Sequence, residues 1–334
     1  MIFFTKNKIK KAFSLMELSI VILIIGIIIG GVTQGSRLVG AMRLATAQNL
    51  TKVSPVGALK GLLFWYETTL DDSFLVGENE NGTVITTWKD INPQSTTKHH
   101  AYAAQKTNAA LVSYNLASGA TSGNSSGPTY ISKGMGDLPT LRFTNEATTY
   151  RYVAVDGTAK NTNADDITFF FVMNYRSGSG WAVDRVCSND GVPVDCGATN
   201  NSGNPIWGIQ INGEDQPIYF ARRDDAGNMI NGDYYANTGY NSSPNSKMII
   251  TLQRRYGVNF SAYVNGTLMV TDTDTIGALS IDPIKIGRHA NSDSDTIDFD
   301  VSEAILFSEH IEAADRQAVE QYLGKKYGIA VAIN

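Results

Sequence analysis

The sequence predicts a mainly β protein: a long apolar helix at the N-terminus, then a β-sandwich or barrel, then one late helix. Three observations predict it. No charged residue occurs from Leu18 to Ser36. Beyond residue 60, short aromatic and β-branched runs alternate with Asn, Gly, Asp and Ser clusters. Residues 313–327 place apolar side chains at helical spacing.

Charge is divided as sharply as hydropathy. The chain has 334 residues and a net charge of −5; its first twelve residues hold Lys6, Lys8, Lys10 and Lys11, a charge of +4. Residues 13–59 contribute +2, from Arg37, Arg43 and Lys52 against Glu17, so residues 60–334 carry −11. With 27 Lys and Arg against 32 Asp and Glu, no basic excess exists for nucleic-acid binding. The division into basic leader, apolar rod and acidic body excludes a plain cytoplasmic globule.

The uncharged run, about 19 residues at about 1.5 Å each, is about 28 Å long and matches the roughly 30 Å of bilayer hydrocarbon. The lysines predict a cytoplasmic N-terminus and an exported body, with the precursor in the inner membrane. Small and apolar residues continue at helical spacing from Thr33 to about Leu50, with no proline before Pro55. A secretory signal peptide has a shorter apolar core followed by a cleavage site, so the helix is expected to persist. Gly26-Ile27-Ile28-Ile29-Gly30 permits close helix approach.

Glu17 stands at the start of the apolar run. A carboxylate at a membrane-helix centre costs about 2.5–3.5 kcal/mol on insertion scales, so it calls for a partner. Lys10-Lys11-Ala12-Phe13-Ser14-Leu15-Met16-Glu17-Leu18 resembles the class III signal of type IV prepilins and pseudopilins. In that family a membrane peptidase cuts before an aromatic residue, and an acid stands fifth in the mature chain. The resemblance implies cleavage between Ala12 and Phe13, with Glu17 as the fifth residue, though the family usually carries Gly where this chain has Ala12. The new α-amine, cationic below a pKa of about 7.7–8, would pair with Glu17 of a neighbouring subunit during assembly. The implied partners are a prepilin peptidase and other pilin or pseudopilin subunits.

Pro55-Val56-Gly57 breaks the helix and marks the domain boundary. The expected organisation is a leader over 1–12, an assembly helix over 13–54 and a β domain over 59–330. Expected strands are Gly61–Tyr66, Thr83–Trp88, Thr140–Phe143, Ile167–Asn174, Trp207–Ile211, Ile218–Ala221, Met248–Gln253, Phe260–Val264, Leu268–Asp272, Ile284–Ile286 and Phe299–Phe307. Asn265-Gly266 is a hairpin signal, because both central residues of a type I′ turn need positive φ. In the late helix, Ala314, Ala318 and Tyr322 with Val319, Leu323 and Tyr327 form an apolar stripe, with charges expected elsewhere.

Leu62-Leu63-Phe64-Trp65-Tyr66, Trp88-Lys89-Asp90, Leu138-Pro139-Thr140-Leu141-Arg142-Phe143 and Ser302-Glu303-Ala304-Ile305-Leu306-Phe307 resemble concanavalin A-like, laminin G-like jelly-roll domains, as does the run from Arg316 to Ile329. The resemblance implies a jelly-roll β-sandwich with a C-terminal helix, in a family of mostly binding or structural modules. Residues 107–136 and 176–206 depart from it and read as insertions.

Chemistry is sparse. Gly123-Asn124-Ser125-Ser126-Gly127 has nucleophile-elbow spacing but no helix behind it, and His99-His100 reads as a solvated pair. Asp298, Asp300 and Glu303 suggest the paired carboxylates of a glycosidase, but in an unbulged strand Glu303 lies on the opposite face from the two aspartates. No catalytic residue is assigned. Asp272, Asp274 and the 291–295 loop offer oxygen ligands suited to calcium, without a defined set. Cys187 and Cys196, on the exported side, are expected to form a disulfide across a short loop, contributing about 2.5 kcal/mol by chain entropy. Trp181, Trp207, Tyr234, Tyr235 and Tyr240 are expected in or beside loops, where aromatic faces stack on sugars. The expectation is a minor, tip-located pilin-like subunit whose head binds carbohydrate or a surface partner. A pseudopilin with a structural head and a glycan-cleaving enzyme on the same fold are the alternatives.

Overall fold

A computed structural model describes residues 15–107, 110–111, 127–144, 149–155, 163–186, 205–222, 230, 235–277, 279–280, 284–287 and 297–333. The chain forms two compact units, Met1–Ala45 and Thr46–Asn334. Helix α1, Leu15–Lys52, begins in the first and ends in the second. Its 38 residues make a rod of about 57 Å. Every residue from Leu15 to Val39 is exposed, and the segment is long and apolar enough to cross a membrane. Its hydroxyls are satisfied within the helix: Ser19 Oγ donates to Leu15 O at 2.8 Å and Thr33 Oγ1 to Ile29 O at 3.0 Å. Polar side chains need such internal partners where water is absent.

The second unit opens with the final turns of α1, where Ala47 and Thr51 are buried. After a 3-10 turn at Val56–Ala58 come β1 (Leu62–Glu67), β2 (Thr87–Trp88), β3 (Ala101–Thr107), β4 (Ala110–Leu111), β5 (Thr129–Met135), β6 (Leu138–Phe143), β7 (Thr149–Val155), β8 (Asn163–Ala164), β9 (Ile167–Ser177) and β10 (Gly180–Val186). They continue with β11 (Pro205–Ile211), β12 (Pro217–Arg222), β13 (Tyr235–Asn241), β14 (Ser246–Arg255), β15 (Asn259–Val264), β16 (Thr267–Thr273), β17 (Leu279–Ser280), β18 (Ile284–Ile286) and β19 (Asp298–Phe307), and α2 (Ala313–Tyr327) follows.

Two large antiparallel sheets result. One runs β16-β15-β14-β9-β19-β6-β5, with β1 also paired to β19; the other runs β13-β12-β11-β10-β18-β7-β3-β2, with β4 on β3. They sandwich a single apolar core, in which the Phe169 ring of the first sheet lies 5.3 Å from the Trp207 ring of the second. The expected jelly-roll sandwich is thus present. Strands β9 and β19 are covered on both faces, by the second sheet inside and α2 outside. This explains why Phe169–Met173 and Ala304–Phe307 read as unbroken apolar runs rather than alternating ones.

Several expectations need correction. Of Thr83–Trp88 only Thr87–Trp88 is a named strand; Val84 makes an isolated bridge to Thr129. The supposed insertions contain β5 and β10. Strand β3 escaped notice because Ala101 and Ala103, its inward residues, are small. Their size matches the close passage of Gly127, whose Cβ, if present, would meet Ala103 Cβ at 2.6 Å and Ile85 O at 1.9 Å. The Asn265-Gly266 hairpin holds: β15 and β16 pair across it with φ of 51° and 79° at its two residues.

Gly266 has a second constraint, since a Cβ there would lie 2.6 Å from Ala332 O in the C-terminal segment. Gly266→Val is therefore expected to destabilise the protein by more than about 1 kcal/mol, read as a lowered thermal midpoint. An unchanged midpoint would contradict this packing.

Candidate functional site

The described residues hold no exposed cluster of catalytic type; their polar chemistry gathers on the outer face of the first sheet, beneath α2. It begins with a bulge. The register of β19 against β9 slips between Val301 and Glu303, leaving Ser302 as an extra residue. Phe299 and Val301 face the core before the slip, and Ala304 and Leu306 face it after. Glu303 therefore lies on the same outer face as Asp300, which corrects the parity expected for an unbulged strand. The freed carbonyl of Ser302 accepts the hydroxyls of Thr68 and Tyr327, each at 3.2 Å.

Glu303 is wholly buried. Its Oε1 accepts Trp65 Nε1 at 2.7 Å and the Tyr322 hydroxyl at 2.8 Å; its Oε2 accepts Lys326 Nζ and the Tyr327 hydroxyl, both at 2.8 Å. Lys326, also with a side chain at 0% exposure, reaches Glu67 Oε2 at 2.9 Å. Glu67 in turn accepts Thr69 N, Thr69 Oγ1, Leu70 N and Ser73 Oγ between 2.6 and 2.8 Å. Burial alone would raise the Glu67 pKa, but the Lys326 ammonium and the Thr69 donors outweigh it and hold it below its ordinary 4.5. Burial would lower that of Lys326, and the carboxylates of Glu303 and Glu67 raise it instead. Tyr322 and Tyr327 are pushed well up by burial and then by Glu303, so both remain neutral donors.

The network also receives the end of α1. The Tyr322 hydroxyl lies 3.3 Å from Thr51 Oγ1, and Gln48 Nε2 donates to Thr69 O at 2.8 Å. A second buried pair sits further along α2, where Arg316 bonds Glu320 at 2.6 Å and lies 3.8 Å from the Tyr263 ring centroid. Thr251 Oγ1 donates to the other Glu320 oxygen at 2.7 Å. The charges of α2 are therefore not confined to its outer face: Arg316, Glu320 and Lys326 are buried, while Ala314 is exposed and Ala318 half-buried. The sheet supplies their partners, which an amphipathic pattern does not reveal.

Other expected features fall differently. Glu17 lies exposed in the first turn of α1. Ala12, Phe13, Cys187, Cys196, Tyr234, Gly123–Ser126 and the 291–295 loop lie outside the described residues. Trp207 is fully buried between the sheets, Trp181 is only 3% exposed within β10, and Tyr240 packs half-buried against the core, so these three are not exposed stacking faces. Tyr235 lies in β13. Asp274 is taken by Arg254 at 2.8 Å, with Gly257 N and Ile276 N also on its carboxylate, which removes it as a calcium ligand. Among the described residues no group of three or more His, Cys, Asp and Glu is placed to hold a metal. His99 and His100 organise a loop rather than stand in solvent: His99 N donates to Asp90 Oδ2 at 3.1 Å, and His100 Nδ1 accepts Asp90 N at 3.0 Å.

No protein-family model and no curated protein matches the sequence. Among solved structures, the binding domain of Paraclostridial Mosquitocidal Protein 1 is similar at 14% identity and a TM-score of 0.48, over 78% of this chain and 52% of that one. The botulinum neurotoxin serotype D binding domain follows at 10% identity and 0.47, over 81% and 53%. The binding domain of botulinum neurotoxin DC in complex with SialylT gives 13% and 0.46, over 79% and 51%. The chain thus spans about half the length of these structures.

The buried network generates a test. Lys326→Met leaves two buried carboxylates without their cation and is expected to cost about 3–5 kcal/mol, read as a lowered urea midpoint of the full chain in detergent. In the wild type, the Lys326 contribution is complete below about 10.5 and lost as pH rises through its raised folded value. The Glu67 contribution is complete above about 4.5 and lost as pH falls through its lowered value. A midpoint unaffected by Lys326→Met would contradict this.

Proposed function

We propose that this chain is a minor, tip-located type IV pilin-like subunit, inserted as a precursor in the inner membrane and assembled through α1, whose jelly-roll head binds an extracellular ligand. The observation that carries the reading is α1 itself. One unbroken helix joins an uncharged, membrane-length segment, opened by Glu17, to a final turn built into the head. A cleaved signal peptide has no need of that continuity. The Ala12–Phe13 junction and Glu17 supply the processing and assembly chemistry that the leader resembles, with a prepilin peptidase and other pilin subunits as partners.

For the head we favour binding over catalysis. Glu303 is sealed beneath α2 and Asp300 is gripped by Arg142, so neither carboxylate of that strand is open to a substrate. Carbohydrate or a surface partner is the proposed ligand class. The same N-terminal physics serves a secretion pseudopilin with a structural head, which stands as the second reading.

Protein recovered from its native host is expected to begin at Phe13 on N-terminal sequencing; a mature chain beginning elsewhere would contradict the pilin reading. Glu17→Ala is expected to leave cleavage intact and reduce incorporation into filaments. Normal incorporation would show the amine–carboxylate pairing to be dispensable.

A further inference from the structure

Four polar side chains stand in register across four adjacent strands of the first sheet. Lys247 of β14 is opposite Asn174 of β9, Asn174 is opposite Asp300 of β19, and Asp300 is opposite Arg142 of β6. Their chain neighbours Met248, Met173, Phe299 and Leu141 face the core, so strand alternation turns all four outward. Arg176 joins from two residues along β9, with Nη1 3.6 Å from Asp300 Oδ2.

The row has an uneven balance of charge. Asp300, at 0% side-chain exposure, is held by Arg142 in a bidentate grip at 2.7 and 3.0 Å, with Arg176 beside it. Its acceptor capacity is committed. Arg142 and Arg176 keep 26% and 36% of their side-chain exposure, and Lys247 is half-buried with no ion pair among the described residues. Asp298, half-buried and 3.4 Å from Ser177 Oγ, is the other acid on this strand end. Three cations face two carboxylates here, on a body whose net charge is −11. Between Lys247 and Asp300 lies an unmet acceptor: Asn174 is 5% exposed, and its Oδ1 is buried with no hydrogen-bond donor. A buried polar atom without a partner calls for one.

We propose that this row binds an acidic sugar, with the sugar carboxylate on Lys247 and Arg176 and an adjacent hydroxyl donating to Asn174 Oδ1. The proposal rests on the reading of the head as a ligand-binding module and names its ligand class. Charge-assisted bonds from arginine and lysine supply the attraction, and Asn174 supplies the selectivity for a hydroxylated anion. An extended peptide is the poorer fit. Strands β14, β9, β19 and β6 each have neighbours on both sides, so the row offers no free sheet edge for main-chain pairing.

The test uses the full chain in detergent against an array of glucuronate-, galacturonate- and sialate-terminated glycans, each beside its methyl ester. The acids are expected to bind at least about tenfold more tightly than the esters, and to weaken as salt is raised. Arg176→Ala combined with Lys247→Ala should abolish that preference without lowering the thermal midpoint; Asn174→Ala should weaken acid binding in the same array. Equal binding of acid and ester, or acid binding untouched by the double variant, would overturn this site while leaving a ligand-binding head. Failure to bind any glycan on the array would overturn both.

Discussion

The structure depends on one lysine held between two glutamates out of contact with water. Lys326 comes from α2, Glu67 from β1 and Glu303 from the bulged centre of β19, and the three are brought within 2.9 Å of one another's charged atoms. Two carboxylates and one ammonium leave a formal excess of one negative charge in a dry site. That arrangement is tolerable only because Trp65, Tyr322, Tyr327, Thr69 and Ser73 donate to the carboxylates as well. A buried ion pair of this kind need not add net stability over an apolar alternative, but it allows very few geometries. It therefore fixes where α2 lies on the sheet and which face of β19 Glu303 occupies.

The same cluster explains how the end of α1 is built into the second unit. Thr51 meets the Tyr322 hydroxyl, and Gln48 caps the loop whose amides hold Glu67. The earlier part of α1 has a different chemistry, apolar and exposed from Leu15 to Val39 apart from Glu17 and a few satisfied or small polar residues. A single helix thus changes solvent along its length, from a segment suited to hydrocarbon to a turn stitched into a polar core.

Much of this was legible in the sequence. The rod, the helix break at Pro55, the Asn265-Gly266 hairpin, the β-sandwich and the late helix all follow from periodicity and turn chemistry. The bulge at Ser302 was not legible, because no local residue pattern distinguishes it; its cause is tertiary, in the hydroxyls of Thr68 and Tyr327 that satisfy its carbonyl. The buried charges of α2 were hidden for a similar reason, since Lys326 and Glu320 look like solvated residues until their partners on the sheet are known. Trp207 read as a loop aromatic, and its burial reflects the strand it occupies, which faces Phe169 across the core. The outer-face row was invisible in sequence, its members being separated by up to 158 positions, as Arg142 and Asp300 are.

If the Lys326 cluster is the constraint that locks these elements together, α2, β1, β19 and the Thr46–Lys52 turn open as one unit. Native-state hydrogen exchange of the full chain in detergent measures this directly. The expected result is a common opening free energy for the protected amides of these four segments, lowered together by Glu303→Gln. Exchange of α2 at much lower free energy than β1 and β19, with the Thr46–Lys52 turn unaffected by Glu303→Gln, would contradict the account.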